Sequence, residues 1–150
     1  MAEKIEEAPV ISGLLELPYE NFVGAVGSKF LIGLRDEKKI FGMRCPTCNR
    51  VLMPARSICP KCYTHLDEWV EVGDKGTVLT YSTVYYGEPV QPVEPPITYG
   101  VIQLDGADTG IVHMIQGADP ACLHIGMRVE AVFKEERTGS VLDIKYFKPL

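Results

Sequence analysis

Nothing in the 150-residue sequence approaches the ~20 consecutive apolar residues that carry a helix across a bilayer, so no membrane-spanning segment is expected. The common fingerprints of nucleotide and acyl chemistry are missing as well. There is no Gly-x-Ser-x-Gly, no phosphate-cradling P-loop and no glycine-rich dinucleotide motif. The opening Met-Ala-Glu-Lys-Ile-Glu-Glu has no charged region followed by an apolar stretch, so a secretory leader is not expected and a reducing, cytoplasmic setting is. Histidine is scarce: His65, His113 and His124 are scattered, and His113 reads as a satisfied, half-buried strand residue. An enzyme built on this chain alone would have to pair Cys122 with His124. A lone Cys122 reads more simply as a small buried apolar side chain.

Positive charge is also lacking overall. The net charge is −5, and it is unevenly spread: residues 1–34 sum to −3, 35–61 to +5 and 62–150 to −7. A basic groove with aromatic platforms, as single-stranded nucleic acid requires, is not expected where Tyr81, Tyr85, Tyr86 and Tyr99 fall in the acidic portion. The positive island consists of Arg35, Lys38, Lys39, Arg44, Arg50, Arg56 and Lys61, which suits an anionic ligand or partner.

What is present is a pair of cysteine knuckles, Cys45-Pro-Thr-Cys48 and Cys59-Pro-Lys-Cys62, separated by ten residues. Four thiolates at this spacing can surround one ion tetrahedrally and leave no open position for water or substrate, so they imply structural Zn²⁺ in a ribbon. Iron in a rubredoxin-like site of the same ligand set, or two disulfides, are the alternatives. His65 lies three residues after Cys62, and four cysteines leave the ion no need of it.

Ahead of the knuckles the first dozen residues are acidic and aperiodic, which suits a flexible or partner-bound arm. Tyr19, Phe22, Val23, Val26, Phe30, Leu31 and Leu34 then recur at helical spacing, with Gly24, Gly27 and Gly33 as weak points. Two short helices, about 18–26 and 28–38, the second capped by Ser28, are expected. Their apolar face would pack on the chain's own core or dock on another subunit.

After the ribbon the pattern turns to strands at 69–72, 77–86, 97–104, 109–115, 128–134 and 141–147, separated by turn residues such as Asp105-Gly106 and Thr138-Gly139. With no helical period for crossovers, a small closed barrel of the OB type is expected. Four prolines in 87–96 keep that segment out of the sheet as a stiff loop. The expected fold is therefore mainly β: an N-terminal arm and short helices over 1–40, a rubredoxin-like zinc ribbon over 41–66, and an OB-fold barrel over 67–150.

From about Phe22 onward the sequence resembles the family of OB-fold, zinc-ribbon proteins associated with acyl-CoA metabolism. The residues that carry the resemblance are Phe30-Leu-Ile-Gly-Leu-Arg35, Arg44-Cys45-Pro-Thr-Cys48, Met53-Pro-Ala-Arg56, Cys59-Pro-Lys-Cys62, Trp69, Gly73-Asp-Lys-Gly-Thr77, Thr80-Tyr-Ser-Thr83, Tyr99-Gly-Val-Ile-Gln-Leu-Asp105, Ile125-Gly-Met127 and Phe147-Lys-Pro149. Ribbons of this type carry glycine after each cysteine pair. Here Asn49 and Tyr63 stand there; asparagine tolerates a left-handed turn, and Tyr63 implies a different one.

The resemblance implies a non-catalytic subunit in a hetero-oligomer with a thiolase-fold enzyme, or with a hydratase or aldolase acting on CoA thioesters. Within the family the chain looks most like the small subunit of a thiolase of anaerobic aromatic degradation, of the benzoylsuccinyl-CoA type. It also implies that the chain shares the CoA thioester with its partner. Arg50, Arg56 and Lys61 are then the contacts expected for the CoA phosphates, with no catalytic residue of its own.

Overall fold

The computed structural model describes residues 11–13 and 15–150, so most of the expected acidic arm lies outside the described residues. One helix forms where two were expected. It is α1, Gly24–Ile32, and it runs into a π-helical turn, Gly33–Glu37. Tyr19–Val23 stays outside the helix because Gly24 takes φ 71°, a left-handed step at the helix entrance that breaks the helical path. Ser28 consequently sits inside α1 and caps nothing. Phe30 and Leu34 face inward and are buried. Gly33 admits the ring of Phe41, which would lie 2.7 Å from any Cβ at that position. Lys38, at φ 56°, donates its N–H to Gly33 O and ends the turn.

A three-stranded antiparallel sheet follows, with β1 (Ile40–Arg44) in the centre, β2 (Val51–Leu52) on one side and β3 (Glu68–Val72) on the other. Met43 pairs with Leu52 across one ladder and with Trp69 across the other. The strand expected from Trp69 thus finds its partner in the ribbon sheet. On the outer face Lys39 pairs with Glu71 and Arg44 with Glu68, each across the β1 and β3 ladder.

The remaining strands are β4 (Lys75–Val84), β5 (Ile97–Leu104), β6 (Gly110–Ile115), β7 (Arg128–Phe133) and β8 (Ile144–Pro149). They close a barrel in the order β4-β5-β6-β8-β7, with β7 returning to β4 through Gly76↔Val129. The seam between β6 and β8 is parallel and short, formed at Ile115↔Phe147. The 87–96 segment stays outside the sheet, and Gln91 orders it by accepting from Glu88 N and donating to Tyr86 O. Strand β8 starts later than its apolar pattern suggested. Val141–Asp143 forms a 3-10 turn instead, because the buried Asp143 carboxylate accepts the N–H groups of Thr138, Gly139 and Ser140.

One core runs beneath both sheets. Ile40, Val51, Met53 and Val72 from the ribbon side cluster with Val78, Ile102, Leu104, Val129, Ile144 and Phe147 from the barrel. The loop after β5 stitches the two together. Asp108 accepts Val51 N–H through Oδ2 at 2.8 Å and donates its own N–H to Val51 O at 2.8 Å. The Thr109 hydroxyl accepts from Met53 N and donates to Met53 O, both at 2.7 Å, doing for the backbone what a neighbouring strand would.

Candidate metal centre

The two knuckles have matching backbone geometry. Cys45 N–H donates to Arg50 O at 2.9 Å and Asn49 N–H to Cys45 O at 2.8 Å; Cys59 N–H donates to Thr64 O and Tyr63 N–H to Cys59 O, both at 2.9 Å. Asn49 and Tyr63 occupy the same left-handed region, φ 57° and 55°, so the different turn expected at Tyr63 does not occur. The hydrogen-bonded loop requires that conformation whatever residue supplies it, and the ring escapes its neighbours by pointing into solvent, 82% exposed. A 2.9 Å contact between the Thr47 and Thr64 hydroxyls ties one knuckle to the other.

This backbone brings the four Sγ atoms of Cys45, Cys48, Cys59 and Cys62 within 4.8 Å of one another, with Cys45 and Cys59 buried. Four sulfurs at ~2.3 Å from a tetrahedral zinc lie about 3.8 Å apart, and Cys48 and Cys59 Sγ are 3.8 Å apart. That separation is far longer than a disulfide bond, and all four thiols are free. His65 is outside this cluster, as expected.

The N–H of Cys62 and, more weakly, that of Lys61 hold the Cys59 thiol down at about 7, against the burial that raises it. Burial, then the crowding Cys48 and Cys59 sulfurs, pushes Cys62 up to about 12. Cys59 thus yields its proton readily and Cys62 reluctantly, and a divalent cation that takes all four as thiolates supplies the charge that offsets their crowding, with release of protons. The donor set fits structural zinc, which would cross-link the knuckles and offer no coordination site for a reactant.

Of the seven cations in this part of the chain, Arg35, Lys39 and Arg44 are engaged with Asp36, Glu71 and Glu68. Arg50 donates to the carbonyl of Asp108 at 3.0 Å, so it serves the joint between ribbon and barrel. Lys38, Arg56 and Lys61 are exposed and make no ion pair among the described residues. The positive island is therefore smaller than its charge sum suggests.

Cys122 is exposed rather than buried, because it ends a surface 3-10 turn, Pro120–Cys122, started by the Asp119 carboxylate. His124 Nδ1 meets the carbonyl of Cys122, not its thiol, at 3.3 Å. His113 is buried more deeply than expected. Its Nδ1 accepts Met114 N–H at 2.9 Å, which places the proton on Nε2 facing Val141 O at 3.4 Å. No reactive pair emerges from these residues. Sequence reasoning missed the Asp108 and Thr109 joint, since nothing local links those positions to residues more than fifty places earlier.

Residues 34–66 match the family described as ChsH2, rubredoxin-like zinc ribbon domain, and residues 69–134 that described as ChsH2, C-terminal OB-fold domain. A DUF35 domain-containing scaffold protein of Methanocaldococcus jannaschii is 34% identical over 122 residues, covering 78% of this chain and 86% of the relative. Another protein of that description, from Methanothermobacter thermautotrophicus, is 29% identical over 114 residues, covering 72% and 84%. Among solved structures, a DUF35-family protein of unknown function from Sulfolobus solfataricus superposes with a TM-score of 0.63 at 22% identity, covering 84% of each chain. The Ltp2-ChsH2(DUF35) aldolase gives 0.61 at 22%, covering 86% of this chain and 98% of the other.

Proposed function

The chain belongs to the DUF35 family of zinc-ribbon and OB-fold proteins, and from that premise we propose that it is a non-catalytic scaffold subunit of an enzyme complex acting on acyl-CoA thioesters. Its partner in this reading is a thiolase-fold enzyme, with 2-benzoylsuccinyl-CoA as the substrate. The observation that carries the reading is the uncovered apolar surface at the entrance and outer side of α1. Phe22 is 94% exposed with Val23 exposed next to it before α1, and Ile32 is exposed at the far end of the helix, while Phe30 and Leu34 fasten the helical run to the core. A helix held rigidly from within and apolar without suits a protein surface. The relatives described as scaffold proteins support the reading. The aldolase named in the Ltp2-ChsH2 structure favours an aldolase as the alternative partner.

The ribbon's part is to present Arg56 and Lys61 to the phosphates of CoA at the partner's entrance, with Arg50 holding the ribbon in place. Bond making belongs to the partner. Purification of the tagged, zinc-loaded chain from its native host is expected to bring down an acyl-CoA enzyme, identified by mass spectrometry as thiolase or aldolase. Phe22→Glu is expected to release it. Recovery of the chain with no CoA-dependent enzyme attached, or thioester turnover by the chain alone, would overturn the proposal. In the assembled complex, Arg56→Ala with Lys61→Ala is expected to raise KM for the thioester about tenfold with kcat unchanged.

A further inference from the structure

The barrel has an open edge. Strand β8 meets β6 at Ile115↔Phe147, so among the described residues no strand is hydrogen-bonded to the outer side of β6 from Gly110 to His113. Met114 N–H is bonded by its neighbour His113 and so points away from β5. Strand alternation turns the N–H and C=O of Val112 the same way, toward the open side. Beside this edge lies an apolar groove of about 170 Å³, with Pro92, Tyr99, Val112, Met114, Val141 and Leu142 along it and buried His113 at its floor. Val112 is 66% exposed there.

The chain itself contains a segment with the pattern this edge requires. Leu15, Leu17 and Tyr19 alternate along an arm outside any helix or strand, and are 81%, 70% and 79% exposed. When Leu17 pairs with Val112, the N–H groups of 15, 17 and 19 face β6. Pro18, which has none to give, falls in the set facing solvent, where an edge strand tolerates it.

We infer that two copies of this chain associate by reciprocal strand addition, the Leu15–Tyr19 arm of each lying along β6 of the other with its apolar row over the Val112 groove. The arm row and the exposed parts of Val112, Val141 and Leu142 offer on the order of 800 Å², and burying most of it twice exceeds the ~1,000 Å² of a specific interface. This pairing is independent of the enzyme partner, whose proposed surface is Phe22, Val23 and Ile32.

The test uses the zinc-loaded full chain carrying Cys122→Ser. Light scattering is expected to give a dimer for this background and a monomer for Leu17→Glu and for Val112→Glu, with far-UV circular dichroism and zinc content unchanged. Both sites are exposed, so the substitutions leave the core intact. Mixing a Leu17→Cys chain with a Val112→Cys chain under mild oxidation is expected to give a disulfide-linked pair. A monomeric background, a dimer indifferent to either glutamate, or a mixture that fails to cross-link would overturn the inference. An intrachain bond without interchain product in a chain carrying both cysteines would also overturn it, showing that the arm folds back on its own barrel.

Discussion

At Tyr63 a bulky residue holds a left-handed backbone, and its ring is turned to solvent. That conformation costs an L-residue roughly 1–2 kcal/mol, part of which glycine's extra unfolded-state freedom would return. Tyr63→Gly is therefore expected to stabilise the zinc-loaded chain by about 0.5–1 kcal/mol in denaturant titration; a loss of stability would mean that the ring packs usefully. The cysteine ligands were legible because their spacing is local chemistry. The turn at Tyr63 was not, because the two knuckle hydrogen bonds dictate it over the residue's own preference. His113 contributes a pH dependence near neutrality. Burial lowers its affinity for a proton in the folded state, so as pH falls below about 6.5 the unfolded chain takes up the proton first and stability declines until the folded pKa is reached. His113→Asn is expected to flatten that limb of the melting temperature against pH; a slope as steep as in the unaltered chain would contradict it.

At the scale of elements, β5 was legible over its whole length because its residues alternate between the barrel interior and its surface and nothing distant overrides them. The start of β8 was hidden, since a turn built on the buried Asp143 carboxylate consumes Val141 and Leu142. The first of the two expected helices was lost for a local reason, with Gly24 stepping out of the helical path. In the stitch between ribbon and barrel, beside the Asp108 bonds to Val51, one hydroxyl satisfies both polar groups of buried Met53. Thr109→Val keeps the shape and removes both bonds, and is expected to cost about 1–3 kcal/mol in chemical denaturation, with faster hydrogen exchange at Met53 N–H. Unaltered exchange there would assign the joint to Asp108 alone.

For the molecule as a whole, the order of modules could be read from the sequence, but the fusion of their cores could not, because Ile40, Val51, Met53 and Val72 meet barrel residues far along the chain. Continuity of packing predicts that metal loss is felt throughout. Chelation, or Cys59→Ser, is expected to lower the melting temperature in one cooperative transition that includes the barrel strands. Two separate transitions, with the barrel unmoved, would show that the ribbon melts independently.

Trp69, the one tryptophan of the chain, sits in β3 opposite Met43, edge-on to Phe41 at 6.3 Å and with the Lys29 ammonium 4.4 Å from its ring centre. Helix, ribbon strand and indole thus meet at a single chromophore with a cation over its face. Ultraviolet emission from the unlabelled protein accordingly provides a built-in optical gauge of whether the helix is seated on the ribbon, readable in real time as metal is added or withdrawn.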